Sequence, residues 1–133
     1  MDAMRTIGAT GEAAVMTAFL RLGVPVYVPL VDVGADIVAD FGGKLQKVQV
    51  KTCSSKASSR EFCLGARKRK GWEEYAPGTV DWYALHFTER GYTALVPADI
   101  KVRNVTISFD GGGTFPLEGI DINNVIKNIT EEH

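Results

Sequence analysis

The sequence predicts an α+β domain built on a small mixed sheet. Three observations carry that reading. A helix-length stretch opens the chain and another closes it. Between them lie short β-branched and aromatic runs separated by glycine turns. The length of 133 residues, with 45% hydrophobic and 23% charged residues, fits one folded domain over 1–133 with a real core.

The elements follow in chain order. Thr10 is expected to cap a first helix running to about Leu22, with Gly23 as its stop. Met16, Phe19 and Leu20 follow Glu12 at helical spacing, so Glu12 lies on or beside the apolar stripe. Val24 to Leu30 reads as an edge strand, because Pro25 and Pro29 lack the amide a central strand needs. Ala35 to Phe41 and Leu45 to Thr52 read as a hairpin turning at Gly42-Gly43. In the second of these strands Leu45, Lys47, Gln49 and Lys51 alternate with Gln46, Val48, Val50 and Thr52. A polar loop over 53–59 leads to a strand at Arg60 to Leu64; residues 65–78 fit neither helix nor strand decisively. Val80 to Phe87 and Tyr92 to Pro97 flank a hairpin turn at Glu89-Arg90-Gly91. Val102 to Phe109 is a further strand, and Asp121 caps a closing helix through Asn128.

The sequence has no run of apolar residues long enough to span a bilayer. Met1 to Arg5 lacks the pattern of a signal peptide, so a cytoplasmic location is expected. Cys53 and Cys63 are too few for a disulfide framework or a zinc site. The net charge of −1 conceals a strong asymmetry. Residues 44–70 hold nine of the 15 lysines and arginines and one carboxylate, Glu61, so that window carries +8 and the rest −9. Lys47, Lys56, Arg60, Arg67, Lys68, Arg69 and Lys70 are the candidate phosphate contacts, against a solvated basic loop as the plainer reading.

Glu12, Asp36, Gln49 and Lys51 carry the chemistry. Gln49 and Lys51 share a strand face, the glycine hairpin lets Asp36 approach them, and the first helix can bring Glu12 to the same edge. A carboxylate on a core-facing helix stripe needs a cation to offset its desolvation. Asp36, the Gln49 amide oxygen and a backbone carbonyl such as that of Val50 form an oxygen set suited to Mg²⁺, with Mn²⁺ as substitute. Glu12 would bind a second ion or orient a water, and Lys51 would serve the nucleophile or the transition state.

The pattern Gly11-Glu12, Gly34-Ala35-Asp36-Ile37-Val38 and Val48-Gln49-Val50-Lys51-Thr52 resembles the PD-(D/E)xK nuclease superfamily. The Gln49-Val50-Lys51 form is similar to its group I intron-associated homing endonucleases, in which glutamine replaces the usual acid. Val80-Asp81-Trp82-Tyr83-Ala84 and Tyr92 to Pro97 resemble the strands that follow the core in that group. The resemblance spans about positions 8–100, leaving a C-terminal strand and helix in 101–133. Ala35 stands where the motif's proline would be. The resemblance implies a restriction-endonuclease-like core, a central mixed sheet flanked by helices. It also implies Mg²⁺-dependent hydrolysis of double-stranded DNA. Two alternatives share these residues: a structure-specific nuclease like the Holliday junction resolvases, and a DNA-binding protein whose site has lost activity with its acid.

Plainer readings stand beside each candidate. Asp36 suits a strand start, Gln49 and Lys51 a solvent face, and Glu12 the first turn of a helix. Asp32 and Asp40 read as turn and surface carboxylates, and Asp81 as a partner for backbone or a basic residue. Trp72, Tyr75, Trp82 and Tyr83 read as core or interface, and His86 as a packed histidine. A double-strand break needs two sites, so a homodimer or homotetramer is expected.

Overall fold

The computed structural model describes residues 3–31, 34–53, 59–63, 66–68, 71–73, 80–99, 104–108 and 120–131. Helix α1 spans Ala3–Arg21 and α2 spans Ile122–Glu131. The strands are β1 (Val26–Tyr27), β2 (Ile37–Phe41), β3 (Lys44–Cys53), β4 (Ser59–Cys63), β5 (Ala66–Lys68), β6 (Gly71–Glu73), β7 (Trp82–Phe87), β8 (Tyr92–Pro97) and β9 (Asn104–Ser108).

The main sheet has the order β1-β2-β3-β7-β8. Only β3 and β7 run parallel; the other neighbours are antiparallel. The sheet is therefore mixed, as expected, and β3 is its central strand. Strands β4 and β9 form a separate ladder, as do β5 and β6. The segment that fitted neither helix nor strand thus holds a β-hairpin with Arg67 opposite Trp72.

The glycine turn is as expected. Gly42 and Gly43 have φ of +68° and +81°, the left-handed pair that a two-residue hairpin requires. It sets the register Ile37↔Val48 through Phe41↔Lys44. That register puts Ile37, Ala39, Val48 and Val50 on the face covered by α1 and α2. Val15 and Phe19 fill this layer from α1, and Ile122 and Ile126 from α2. Phe19 stacks on Phe41 at 5.7 Å, and Phe41 meets Trp82 at 5.8 Å. Fully burying side chains of this kind contributes roughly 1.5–3 kcal/mol each. The opposite face carries a second core of Tyr83, Leu85, Phe87, Ala94, Val96 and Ile120.

Several boundaries differ from the sequence expectation, among them the closing helix, which runs to Glu131 and not Asn128, and β2, which starts at Ile37 and not Ala35. Helix α1 begins seven residues before Thr10, which is not its cap. The Thr10 hydroxyl donates instead to the Thr6 carbonyl, and Thr17 donates to Ala13 in the same way. A hydroxyl satisfied one turn back has no need of a helix end. β1 shrinks to two paired residues, since Pro25 and Pro29 flank it. At the other terminus Asp121 does cap α2, its Oδ1 accepting the Asn123 N–H at 2.8 Å. Among the described residues no helix is long and apolar enough to cross a membrane.

Candidate active site

Backbone peptide groups of β3 point alternately to its two neighbours. Lys47 and Cys53 offer their carbonyls to Asp81 and Thr88 on the β7 side. Val48 offers its carbonyl to the Asp36 N–H on the β2 side, at 3.0 Å. β3 is ten residues long and β2 only five, so β2 parts from β3 at Ile37 while β3 continues. The next β3 amide on that side belongs to Val50. Asp36 closes it with its side chain, Oδ2 accepting the Val50 N–H at 2.8 Å. The Val50 carbonyl leaves the strand on the same side as its N–H, toward the place that β2 has vacated.

Glu12 reaches Asp36 from above. It sits in the third turn of α1, not the first, so the helix N-terminus does not account for it. Gly11, Val15 and Phe19 are the buried stripe, and Glu12 and Met16 flank it half-buried. Partial burial weakens the acidity of Glu12 first; the charge of Asp36 and a hydrogen bond to it add to the effect. Two carboxylates thus meet where one sheet strand ends.

Gln49 and Lys51 are placed by register. They alternate with the buried Val48 and Val50 and are themselves half-buried. The ladder ends at Ile37↔Val48, and Asp36, one residue before it, bonds to Val48 and Val50 on either side of Gln49. The structure joins Glu12 of α1, Asp36 at the start of β2 and Val50 of β3 by contact, and places Gln49 and Lys51 on either side of Val50 along β3. The donors of this cluster are all oxygens except the Lys51 amine, and negative charge is in excess between Glu12 and Asp36. A hard divalent cation fits such a set. Among the described residues no three His, Cys, Asp or Glu side chains converge on a metal position, so neutral oxygens from Gln49 and Val50 would have to complete it.

Asp81 is structural, as its plainer reading had it. Its Oδ2 accepts the Lys47 N–H at 2.8 Å, and its own N–H donates to the Lys47 carbonyl at 2.8 Å. It fixes β7 to β3 as Asp36 fixes the end of β2. His86 is buried and bonded through Nδ1 to the Thr93 hydroxyl at 2.7 Å. Trp82 and Tyr83 pack in the cores, and the Trp82 indole donates to Gln46 Oε1 at 3.1 Å. The buried Gln46 amide in turn donates to the Phe41 carbonyl at 3.2 Å. The sequence signal for Gln46 is its place with Val48 and Val50 on the apolar face of β3, where a polar side chain needs a partner.

Of the basic candidates, Lys47 is half-buried on β3. Arg60 lies on β4, and Arg67 and Lys68 on β5. Lys56, Arg69 and Lys70 lie outside the described residues, as do Asp32 and Tyr75. Asp40 is exposed at the surface.

The sequence profile of the PD-(D/E)XK endonuclease family matches residues 3–110. A solved bacterial homing endonuclease, I-Ssp6803I, is similar in fold with a TM-score of 0.72. The alignment covers 98% of this chain and 95% of that one at 20% identity, a likeness of fold. None of the curated proteins compared with the chain matches it.

Proposed function

The chain belongs to the PD-(D/E)XK endonuclease family, and on that premise we propose that it is a Mg²⁺-dependent endonuclease of double-stranded DNA, acting in the manner of a homing endonuclease. The observation that carries the reading is the meeting of Glu12 and Asp36 at the point where β2 leaves β3, beside Val50 and Gln49. Asp36, Gln49, Glu12 and the Val50 carbonyl would hold the ion. When bound, Mg²⁺ (or Mn²⁺) supplies Lewis-acid polarisation of the scissile phosphate and acidifies an attacking water.

The chain's own groups do the rest. Asp36 is anchored through one carboxylate oxygen by the Val50 N–H, which leaves the other oxygen for the ion. Lys51, two residues beyond Gln49, is the cation that would position the nucleophile or balance charge gathering on the phosphate. Glu12 would orient water at the carboxylate pair. The basic residues Lys47, Lys56, Arg60, Arg67, Lys68, Arg69 and Lys70 would contact phosphates and fix the register on the duplex.

Cleaving both strands calls for two such sites, which a homodimer or homotetramer provides. The exposed apolar residues Tyr27, Val28, Leu30 and Val31, in and after the edge strand β1, favour an assembly of copies. The cytoplasm, where DNA and Mg²⁺ are both at hand, is the matching location. The test is nicking of supercoiled plasmid by the parent and by Lys51→Ala, with Mg²⁺ and with chelator. The proposal requires metal-dependent nicking that the variant loses. Metal-independent nicking would remove the Mg²⁺ site from the account, and no activity on any duplex or branched DNA would leave the retired DNA-binding alternative in front.

A further inference from the structure

Gly11 is an unusual residue for its place. It lies in the middle of α1, where glycine is a weak helix former. Its backbone is not in the left-handed region, so conformational freedom is not what it contributes. What it contributes is space. A Cβ at Gly11 would overlap the Thr52 hydroxyl and stand 2.7 Å from Thr52 Cγ2 and 2.8 Å from Thr52 Cβ. Gly8, nearly one turn earlier, has nothing within 4 Å of its own Cβ position. Along the buried stripe, Val15 and Phe19 hold the helix off the sheet by their bulk, and Gly11 lets it touch.

We infer that Gly11 and Thr52 form a spacing contact that sets Glu12 against Asp36, making them a positioning pair for the active site. The inference rests on the reading of that site given above. Glu12 follows Gly11 directly, so the height of the helix over the sheet sets the distance its side chain must span to reach Asp36. Thr52 follows Lys51 directly and shares β3 with Val50, whose N–H anchors Asp36. The two residues therefore link the helix that carries Glu12 to the strand whose Val50 N–H anchors Asp36. Relieving a methyl at Gly11 would take a displacement on the order of 1 Å, a misplacement that costs about 100-fold in rate when it reaches reacting groups.

The test is a set of four variants: Gly11→Ala, Thr52→Val, Gly11→Ala with Thr52→Gly, and Thr52→Gly alone. Each is examined for folding by circular dichroism, Mn²⁺ affinity by calorimetry, DNA binding without metal, and single-turnover cleavage. Gly11→Ala is expected to weaken Mn²⁺ binding and lower the cleavage rate about 100-fold, with DNA affinity unchanged. Thr52→Val puts a slightly larger methyl group where the hydroxyl meets Gly11 and is expected to weaken Mn²⁺ binding less than Gly11→Ala does. The double variant is expected to recover Mn²⁺ affinity and rate to the level of Thr52→Gly alone. If Gly11→Ala does not fold, recovery of folding and of both readouts in the double variant carries the same conclusion. The inference is overturned if Gly11→Ala folds and matches the parent, or if the double variant fails to recover. If no protein cleaves DNA but Mn²⁺ affinity follows the expected order, the spacing role stands and the nuclease reading fails. If neither Mn²⁺ affinity nor cleavage distinguishes the four, the spacing role itself fails.

Discussion

Asp36 completes a backbone ladder that its own strand has left: its carboxylate, not its peptide, takes the Val50 N–H at 2.8 Å. One oxygen closes the ladder, and the carboxyl group also meets Glu12. Asp36→Asn keeps a carbonyl oxygen for that bond and removes the charge. It should fold like the parent, bind DNA and lose cleavage. Asp36→Ala leaves the Val50 N–H without its acceptor and should cost about 1–3 kcal/mol as well. Denaturant melts beside a plasmid assay separate the two effects. Cleavage by Asp36→Asn at the parent's rate would remove Asp36 from the chemistry.

Glu12 gives a pH test. Its carboxyl is held above the ordinary value of 4.5 by burial and by Asp36. An acid with a raised folded pKa contributes stability at pH below its unfolded value and loses it as pH rises through the folded one. Without metal, Glu12→Gln should therefore raise Tm at pH 7 and leave it nearly unchanged at pH 4. Mg²⁺ should raise the parent's Tm at pH 7 and raise the variant's less. Equal Tm for the two metal-free proteins at pH 7 would count against the carboxylate pair.

His86 moves the other way. Burial lowers its pKa from 6.5, so the fold keeps this stability above that value and loses it as pH falls below it. His86→Gln retains a group able to meet the Thr93 hydroxyl. It should flatten the decline in stability between pH 7 and 5. An identical decline in the variant would place its cause elsewhere.

The basic segment is tested by salt. Neutralising Arg67, Lys68, Arg69 and Lys70 together should reduce the slope of log binding constant against log salt by up to about four units. Sequence preference should change less than affinity. An unchanged slope would return these residues to solvent.

Much of the site was legible because strand alternation and a glycine hairpin are local. Gln49 and Lys51 on one face, Val48 and Val50 on the other, and Asp36 at the hairpin's far end all follow from spacing. The spatial facts that organise the site were not local. Nothing in the sequence marks β2 as half the length of β3, yet that mismatch opens the place where Asp36 and the Val50 carbonyl lie. The helix start was missed because Thr10 looks like a cap until its hydroxyl is seen bonding to Thr6. Gln46 was missed because its partners, Trp82 and the Phe41 carbonyl, come together only through the sheet. Residues 65–78 mix charges and aromatics without a period, and their hairpin is fixed by pairing rather than pattern.

The central claim is that Glu12, Asp36, Gln49 and the Val50 carbonyl hold a divalent ion beside Lys51. Gln49→Glu adds one charge to that set at nearly constant shape, and plasmid nicking measured against Mg²⁺ concentration for parent and variant reads the result. The account predicts that both proteins cut and that the variant reaches half-maximal cleavage at lower Mg²⁺, whatever its rate at saturation. Coincident Mg²⁺ curves for two active proteins, or no cleavage by either on any DNA, would contradict it.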